Sequence, residues 1–408
     1  MNPTRRSLLF RGSVLLAGTI LPVPFFKNLH GRPTLIETAE AQDLLDTMDE
    51  KSALRVLSDR PFNAETPVHL LDEPVTSAGN MFVRNNGSMP SREELSPDQW
   101  ELLIDGEVER PQKFSISDLK NSFENISLQL QIECGGNGRR FYHPGANGNQ
   151  WSFGAISCAE WTGVRLADVL AAAGIKSSAV YTAHYGVDRH LSGDPTKVPI
   201  SRGVPMAKAL DPHNLIAWEM NGDSIPYSNG YPLRLIVPGW PGSCSQKWLN
   251  RISLRDVVHD GPKMEGQSYR VPEFPVAPGT SVPDSAMKII ESMPVKSIIT
   301  NPETGHRQAP GKPFEIRGHA WAGDNSVEKM DISIDFGSTW APADLLPAKN
   351  KFAWQHWRAE ISLPQAGYYE VWARATDSNG AAQPPVPPNW NPRGYLNNMQ
   401  HRIAVIAV

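Results

Sequence analysis

The strongest constraint on the fold is a change of pattern in the last third of the chain. Beyond Met293, short alternating runs such as FEIRGHAWAG, KMDISIDFG, WQHWRAEISL and YYEVWARATD follow one another, separated by turn residues. Turn signals at intervals of about ten positions between short alternating strands are typical of an antiparallel sandwich. The pattern therefore predicts an immunoglobulin-like β-sandwich over residues 291–408.

The preceding part of the chain mixes helical and extended patterns. Residues 42–95 have a loop-like composition, whereas WTGVRLADVLAAAGI at Trp161–Ile175 has apolar residues at helical spacing and predicts a helix that Gly174 ends. Strand and turn patterns dominate after that helix, and helices are too sparse for a doubly wound sheet. We predict an α+β protein, with residues 42–290 forming a mixed α/β domain ahead of the sandwich.

The N-terminus has the features of an export signal. TRRSLLFRG (Thr4–Gly12) contains a twin-arginine pair, an apolar stretch follows, and AEA at Ala39–Ala41 resembles a cleavage site. The apolar stretch is too short for a comfortable membrane span. We therefore predict a twin-arginine signal peptide at residues 1–41, export of the folded protein to the periplasm, and no membrane anchor in the mature chain.

The charge balance narrows the choice of partners. The whole chain carries a net charge of −4, and removal of residues 1–41 leaves about −7. No Lys/Arg tract offsets this charge, so nucleic acid is not an expected partner. An acidic surface favours the approach of a basic protein partner.

One cysteine occupies an unusual position. In QIECGGNGRRF, an apolar run delivers Cys134 into a loop of glycines followed by Arg139 and Arg140. Arginines favour the thiolate, which is a soft ligand for a transition metal, and glycines permit close approach of a bulky ligand. The residues alone leave two alternatives open, a catalytic thiol with a His or Asn partner and a buried, inert cysteine.

Several segments, in order along the chain, resemble the sulfite oxidase family of molybdenum enzymes. They are RPFNAE (Arg60–Glu65), FVRNN (Phe82–Asn86), CGGNGR (Cys134–Arg139), WSFGAISCAEWTGVRLADVL (Trp151–Leu170), AWEMNGDSIPYSNGYPLRLIVPG (Ala217–Gly239), KWL (Lys247–Leu249) and WNPRGYLNNMQHRI (Trp390–Ile403). The chain is most similar to the molybdenum subunit of haem-free bacterial periplasmic sulfite dehydrogenases. The resemblance implies a molybdopterin-binding catalytic domain followed by a sandwich that mediates a homodimer.

The resemblance also assigns roles to single positions. Cys134 is expected to ligate molybdenum. The residues expected to carry catalysis at an oxyanion pocket are Arg84, Arg139, Arg393, Tyr269 and Trp151. The residues expected to bind the molybdopterin are Phe82, Val83, Arg84, Asn85, Asn86, Asp188, Asn229, Arg234, Ser245, Gln246 and Lys247. Arginine suits the pocket because its planar set of donors pairs with oxyanions.

Some positions carry an open alternative or depart from the family pattern. The alternative for Arg393 is a salt bridge within the sandwich, that for Tyr269 is ordinary packing, and that for Trp151 is a core position. Asn86 and Asn229 replace histidines typical of the animal enzymes, which places the details of the cofactor contacts in question.

The function that the resemblance implies is oxidation of sulfite to sulfate, with electrons passed to a c-type cytochrome. The sequence contains no C-x-x-C-H haem motif and no recognisable cytochrome-b5-like segment before residue 60, so we expect no haem in this chain. The main alternative is the molybdenum subunit of a sulfane dehydrogenase acting on protein-bound sulfur. Residues 293–408 argue against a peptide-methionine-sulfoxide reductase, and a cofactor-free exported binding module is the non-enzymatic alternative.

Overall fold

The structure is a computed structural model that describes Lys51 and residues 53–408. The predicted signal peptide at residues 1–41 lies outside the described residues. Within them, no helix combines the length and the apolar character needed to span a membrane.

The part of the chain before the sandwich contains two larger sheets and a few short helices. Its strands are β1 Arg55–Asp59, β2 Phe62–Glu65, β3 Glu101–Gly106, β4 Gln112–Ser115, β5 Ile126–Glu133, β6 Ile156–Arg165, β7 Tyr181–Gly186, β8 Leu215–Met220, β9 Asp223–Ser224, β10 Arg234–Ile236, β11 Leu249–Arg255, β12 Arg270–Pro272 and β13 Met287–Ile289. Its α-helices are α1 Ile116–Ser122, α2 Leu166–Ala173 and α3 Met206–Ala209.

The two larger sheets differ in strand direction. One has the order β10-β8-β6-β5, with β9 added to β8, and all its pairs are antiparallel. The other has the order β4-β3-β11-β7, in which β3 and β11 run parallel. An apolar cluster that includes Leu102, Val169, Leu235 and Ile252 fills the space between these elements. The predicted α+β class is confirmed.

Two local predictions in this part are wrong. Residues 161–165 belong to β6, where Trp161 pairs with Leu128 on one side and Met220 on the other, so the helix begins only at Leu166. Pairing on both edges therefore overrides the helical spacing of the apolar residues. The region predicted as loop-like contains the antiparallel pair β1-β2. Gly174 does end the helix, with a φ of 78°.

The C-terminal part is a two-sheet sandwich, as the alternating runs predicted. Its strands are β14 Lys296–Asn301, β15 His306–Gln308, β16 Phe314–Trp321, β17 Val327–Ser333, β18 Ala341–Pro342, β19 Asp344–Leu345, β20 Gln355–Ile361, β21 Gly367–Asp377 and β22 His401–Ala407. The sheets have the orders β14-β16-β20-β19 and β15-β22-β21-β17-β18. Ile316, Trp357, Val371 and Val405 are among the buried residues between them.

Candidate active site

Two adjoining cavities lie beside the loop that follows β5. The empty space of the inner cavity, around Cys134 and Arg234, is about 630 Å³ including the part that opens to solvent. The corresponding space of the outer cavity, around Arg139 and Arg393, is about 730 Å³. Both are lined by the same four residues: Arg84, Asn85, Asn86 and Tyr269. The two cavities therefore share a wall and form one site with two compartments.

Strand β5 presents Cys134 to the inner cavity. The strand pairs with β6 along its whole length, and Cys134 continues from its last residue by donating its backbone N–H to Ala155 O (2.9 Å). The Arg84 side chain lies within hydrogen-bonding reach of the thiol. Burial opposes the charge of Arg84, but the surrounding Tyr269, Cys134 and Tyr395 outweigh it and raise the pKa of Arg84. The thiol thus faces a guanidinium within the inner cavity.

A buried ion pair fixes the residue before the cysteine. Glu133 Oε1 accepts from Lys296 Nζ (2.6 Å), and Glu133 Oε2 accepts from the Trp321 indole N–H (2.8 Å). Lys296 and Trp321 belong to β14 and β16 of the sandwich. Because both charges are buried, loss of either partner is costly. The sandwich therefore holds the cysteine loop in place.

The glycines of this loop make room for protein side chains. A side chain on Gly136 would collide with the Arg139 guanidinium. Gly138 has a φ of 92°, and a Cβ there would lie 2.8 Å from the Asn397 side-chain amide. The prediction that these glycines admit a bulky ligand is therefore wrong for these two positions, where they let Arg139 and the C-terminal segment pack closely.

The inner cavity contains buried cations without carboxylate partners in direct contact. Arg234 donates to Asn229 O (2.7 Å) and Ser245 O (3.3 Å), and burial lowers its pKa to about 9. Lys247 donates to Ser228 O (2.8 Å), and its pKa is well below the ordinary value because of burial and the neighbouring Arg234. Positive charge in a buried cavity favours a negatively charged occupant.

Three polar atoms around this cavity lack hydrogen-bond partners. They are Arg234 Nε, Asp188 Oδ1 and Ser243 Oγ, and all three residues line the inner cavity. Burial raises the pKa of Asp188 from 3.8 to about 6, although Lys247 opposes the shift. Buried polar groups are normally paired, so unpaired donors and acceptors around one cavity indicate a polar occupant. A molybdopterin, with its ring donors and acceptors and its anionic phosphate, fits this set, and Cys134 supplies a soft metal ligand.

The outer cavity collects positive charge. Arg84, Arg139, Arg393 and Lys263 line it, and none of its lining residues is Asp or Glu. Among the described residues, the arginines that form ion pairs within the sandwich are Arg317, Arg358, Arg374 and Arg402. Arg393 is thus free to serve the cavity, and the arrangement suits a small oxyanion.

Tyr269 lines both cavities and has a strained backbone. Its φ of 52° lies in the left-handed region, which is uncommon for a bulky residue. Its hydroxyl lies 3.5 Å from the Asn86 amide. Strain of this kind persists where the surroundings over-determine a position, which is common at functional sites.

The structure brings together every sequence-predicted site residue except two. Trp151 is buried in the same apolar cluster as Cys134 and packs edge-on against Phe82, with ring centroids 6.2 Å apart. Trp151 is not among the lining residues of either cavity, so its place on the aromatic wall stays a prediction beside the core alternative. Val83 is fully buried and pairs through its backbone with Ala64, so its side chain does not face the inner cavity.

Sequence reasoning missed several residues that line the two cavities. Among them are Lys263, Tyr395 and Asn149 in the outer cavity and Ser243 in the inner cavity. Tyr395 and Ser243 lie within two residues of the predicted Arg393 and Ser245, so a wider window around each motif would have included them. Lys263 lies in a loop with no pattern of its own.

Comparisons with known proteins identify two matching family models. Residues 86–263 match an oxidoreductase molybdopterin binding domain, and residues 287–408 match a Mo-co oxidoreductase dimerisation domain. The chain is 33% identical to mitochondrial sulfite oxidase of Rattus norvegicus, over 87% of this chain and 66% of that protein. It thus spans about two thirds of the length of that relative.

Two further relatives match over most of their length. Sulfite oxidase of Arabidopsis thaliana is 32% identical over 86% of this chain and 93% of that protein. The crystal structure of the sulfane dehydrogenase SoxCD from Paracoccus pantotrophus superposes with a TM-score of 0.70 and 27% identity, over 85% of this chain and 84% of that chain.

Proposed function

The chain belongs to the sulfite oxidase family of molybdenum enzymes, and on that premise we propose that it is a sulfite dehydrogenase. The reaction converts sulfite and water to sulfate, two protons and two electrons. The molybdenum cofactor, when bound, supplies the oxygen-atom transfer and the redox change.

The protein's own residues divide the remaining tasks. Cys134 would ligate the metal, and the inner-cavity set of Asp188, Asn229, Arg234 and Lys247 would hold the pterin and its phosphate. In the outer cavity, Arg84, Arg139 and Arg393 would bind the sulfite dianion, orient it toward the Cys134 side and stabilise the charge that moves during the reaction. Asn86 and Tyr269 lie between the compartments, at the position where substrate and cofactor meet.

One observation carries this proposal: a cation-lined cavity without carboxylates adjoins the cavity of the only thiol that faces such a space among the described residues. Its test is sulfite turnover with ferricyanide or cytochrome c, together with molybdenum analysis of the purified protein. Cys134→Ala is expected to abolish turnover. Cys158→Ala is a matched control, since Cys158 is a buried free thiol away from both cavities. Full turnover by Cys134→Ala would overturn the assignment.

The cellular setting is part of the same proposal. We propose export to the periplasm by the twin-arginine route, a c-type cytochrome as electron acceptor, and a homodimer formed through residues 287–408. The support is the twin-arginine pattern, the acidic net charge and the dimerisation-domain match. Fractionation of cells that express the full chain tests the location, and light scattering of the purified protein tests the dimer.

A second candidate, sulfane oxidation, is favoured by the likeness to the Paracoccus structure and by the outer cavity. Its empty space of about 730 Å³ includes the part that opens to solvent, and such an opening is what a sulfur atom carried by another protein needs. A peptide that carries a cysteine persulfide would distinguish the two activities. A higher kcat/KM for that peptide than for sulfite would favour sulfane oxidation.

A further inference from the structure

Four side chains form a continuous stack beside the outer cavity, and three of them, Tyr269, Tyr395 and Arg139, line it. The Arg202 guanidinium lies over the Tyr269 ring, 4.8 Å from its centroid. The Tyr269 and Tyr395 rings are stacked, with centroids 5.4 Å apart and an interplanar angle of 19°. The Arg139 guanidinium lies over the Tyr395 ring, 5.2 Å from its centroid. Two cations thus enclose two aromatic rings, and we call this set the Arg–Tyr stack.

Both ends of the Arg–Tyr stack are anchored. Arg202 is fully buried, donates to Lys263 O (3.1 Å) and contacts Cys244 Sγ (3.9 Å), so its guanidinium meets a carbonyl, a sulfur and a ring rather than a carboxylate. Arg139 donates through Nε to Arg393 O (2.6 Å) and through Nη1 to Asn149 O (2.8 Å). Neither guanidinium therefore has an acidic group that fixes its position.

The middle of the Arg–Tyr stack joins the two domains. Tyr395 comes from the C-terminal segment, where its backbone N–H donates to Asn391 Oδ1 (2.9 Å) and its carbonyl accepts from the Tyr142 hydroxyl (2.8 Å). Tyr269 comes from the other domain and has the strained backbone described above. The stacked Tyr395 ring and the Arg202 guanidinium supply the contacts that hold such a conformation.

The outer cavity presents a physical problem that the Arg–Tyr stack solves. Its four cations repel one another, and no carboxylate among its lining residues offsets that repulsion before the substrate binds. The face of an aromatic ring attracts a guanidinium without neutralising it or occupying its outward donors. A ring therefore positions Arg139 while leaving it available to an oxyanion, which a carboxylate would not do.

We propose that Tyr395 is a positioning residue of the oxyanion site, which, together with Arg202, sets the separation between the Tyr269 phenol and the Arg139 guanidinium. This inference rests on the proposed function for the identity of the anion. Tyr395 acts through Arg139 and Tyr269, so its removal affects anion affinity more than the rate of the chemical step.

The test uses the purified, molybdenum-loaded full chain and four variants, two at position 395 and one each at positions 185 and 202. Sulfate affinity is measured by calorimetry, sulfite KM and kcat by turnover, and molybdenum by elemental analysis. Tyr395→Leu removes both ring contacts and is expected to weaken sulfate binding and raise KM by about tenfold, with molybdenum content unchanged. Tyr395→Phe keeps the ring and is expected to restore most of the affinity. Tyr185→Leu is the matched control, since Tyr185 also carries a guanidinium over its ring but lines neither cavity.

The outcomes separate this inference from the proposed function. Wild-type sulfate affinity in Tyr395→Leu, or an equal loss in Tyr185→Leu, would overturn the role of the stack while leaving sulfite oxidation intact. An equal loss in Tyr395→Phe would also overturn it, because the hydroxyl and not the ring would then be responsible. If the wild type failed to oxidise sulfite, the proposed function would fall, yet the sulfate affinities would still decide the role of Tyr395. Arg202→Met, which removes the opposite end, is expected to weaken sulfate binding about threefold.

Discussion

The inner and outer cavities both rely on cations, but they hold them in different ways. In the inner cavity, Arg234 is buried and fixed by two backbone carbonyls, and Asp188 acts as a counter-charge to Lys247. In the outer cavity, Arg139 is also buried and held by two carbonyls, but Lys263 is exposed, Arg393 is half-buried, and no carboxylate is present in the lining. A fixed cation suits a group that stays bound, whereas an accessible cation suits an anion that must enter and leave.

The physical reason lies in desolvation. Burial makes a charged guanidinium costly, as the lowered pKa of Arg234 indicates, and the cost is recovered only while an anionic partner is bound. A partly hydrated cation incurs less of this cost and retains weak, rapid binding. The contrast predicts that substitutions in the inner cavity affect cofactor content and those in the outer cavity affect the Michaelis constant.

Replacement of one arginine in each cavity by methionine is expected to have the largest effect on cofactor content and on substrate binding. Arg234→Met should lower the molybdenum content of the purified protein at least about tenfold, because a hydrogen bond to a charged group contributes about 1.5–3 kcal/mol. Arg393→Met should keep its molybdenum and raise the sulfite KM by about 10- to 100-fold. Elemental analysis and steady-state kinetics measure the two quantities. Equal molybdenum loss in both variants would abolish the distinction between the cavities.

The buried ion pair between Lys296 and Glu133, next to Cys134, tests whether the sandwich supports the inner cavity. Lys296→Met leaves the Glu133 carboxylate buried without its cation and should lower the free energy of unfolding by about 3–5 kcal/mol. Lys113→Met is the matched control, because its pair with Glu101 is exposed on both sides and should contribute less than about 1 kcal/mol. Urea denaturation of both variants gives the comparison. A loss as small as that of the control would show that the sandwich does not support the loop.

The counter-charge of the inner cavity predicts a pH effect of definite sign. The pKa of Asp188 is raised from 3.8 to about 6, so between these values the folded state binds more protons than the unfolded state. The contribution of Asp188 to the free energy of unfolding is therefore greatest at low pH and falls as pH rises through this range. Relative to Asp188→Asn, the cofactor-free wild type should lose about 2 kcal/mol between pH 4 and pH 7. Parallel unfolding curves for the two proteins would contradict this.

The sequence predicted the residue types of the site better than it predicted which side chains face a cavity and which face the core. The residues around Cys134 left a catalytic thiol and an inert cysteine open, and the resemblance of several ordered segments to the sulfite oxidase family assigned the roles of Cys134 and the arginines. Trp151 and Val83 stand in equally clear motifs, but whether a side chain faces a cavity or the core depends on tertiary packing. The strand at residues 161–165 was missed for the same reason, since its partners are distant in sequence.

Substitution of Lys263 is expected to have the smallest effect, and it tests the contrast between the two cavities most finely. Its exposed ammonium adds long-range attraction for the substrate without a fixed contact, so Lys263→Met should raise the sulfite KM by only about threefold at low salt. Because exposed charges are screened within about 10 Å at 0.1 M salt, the difference should shrink as ionic strength rises. Lys349→Met, an exposed lysine of the sandwich outside both cavities, is the control and should leave KM unchanged. A salt-independent loss in Lys263→Met would instead place Lys263 among the fixed cations, in direct contact with the anion.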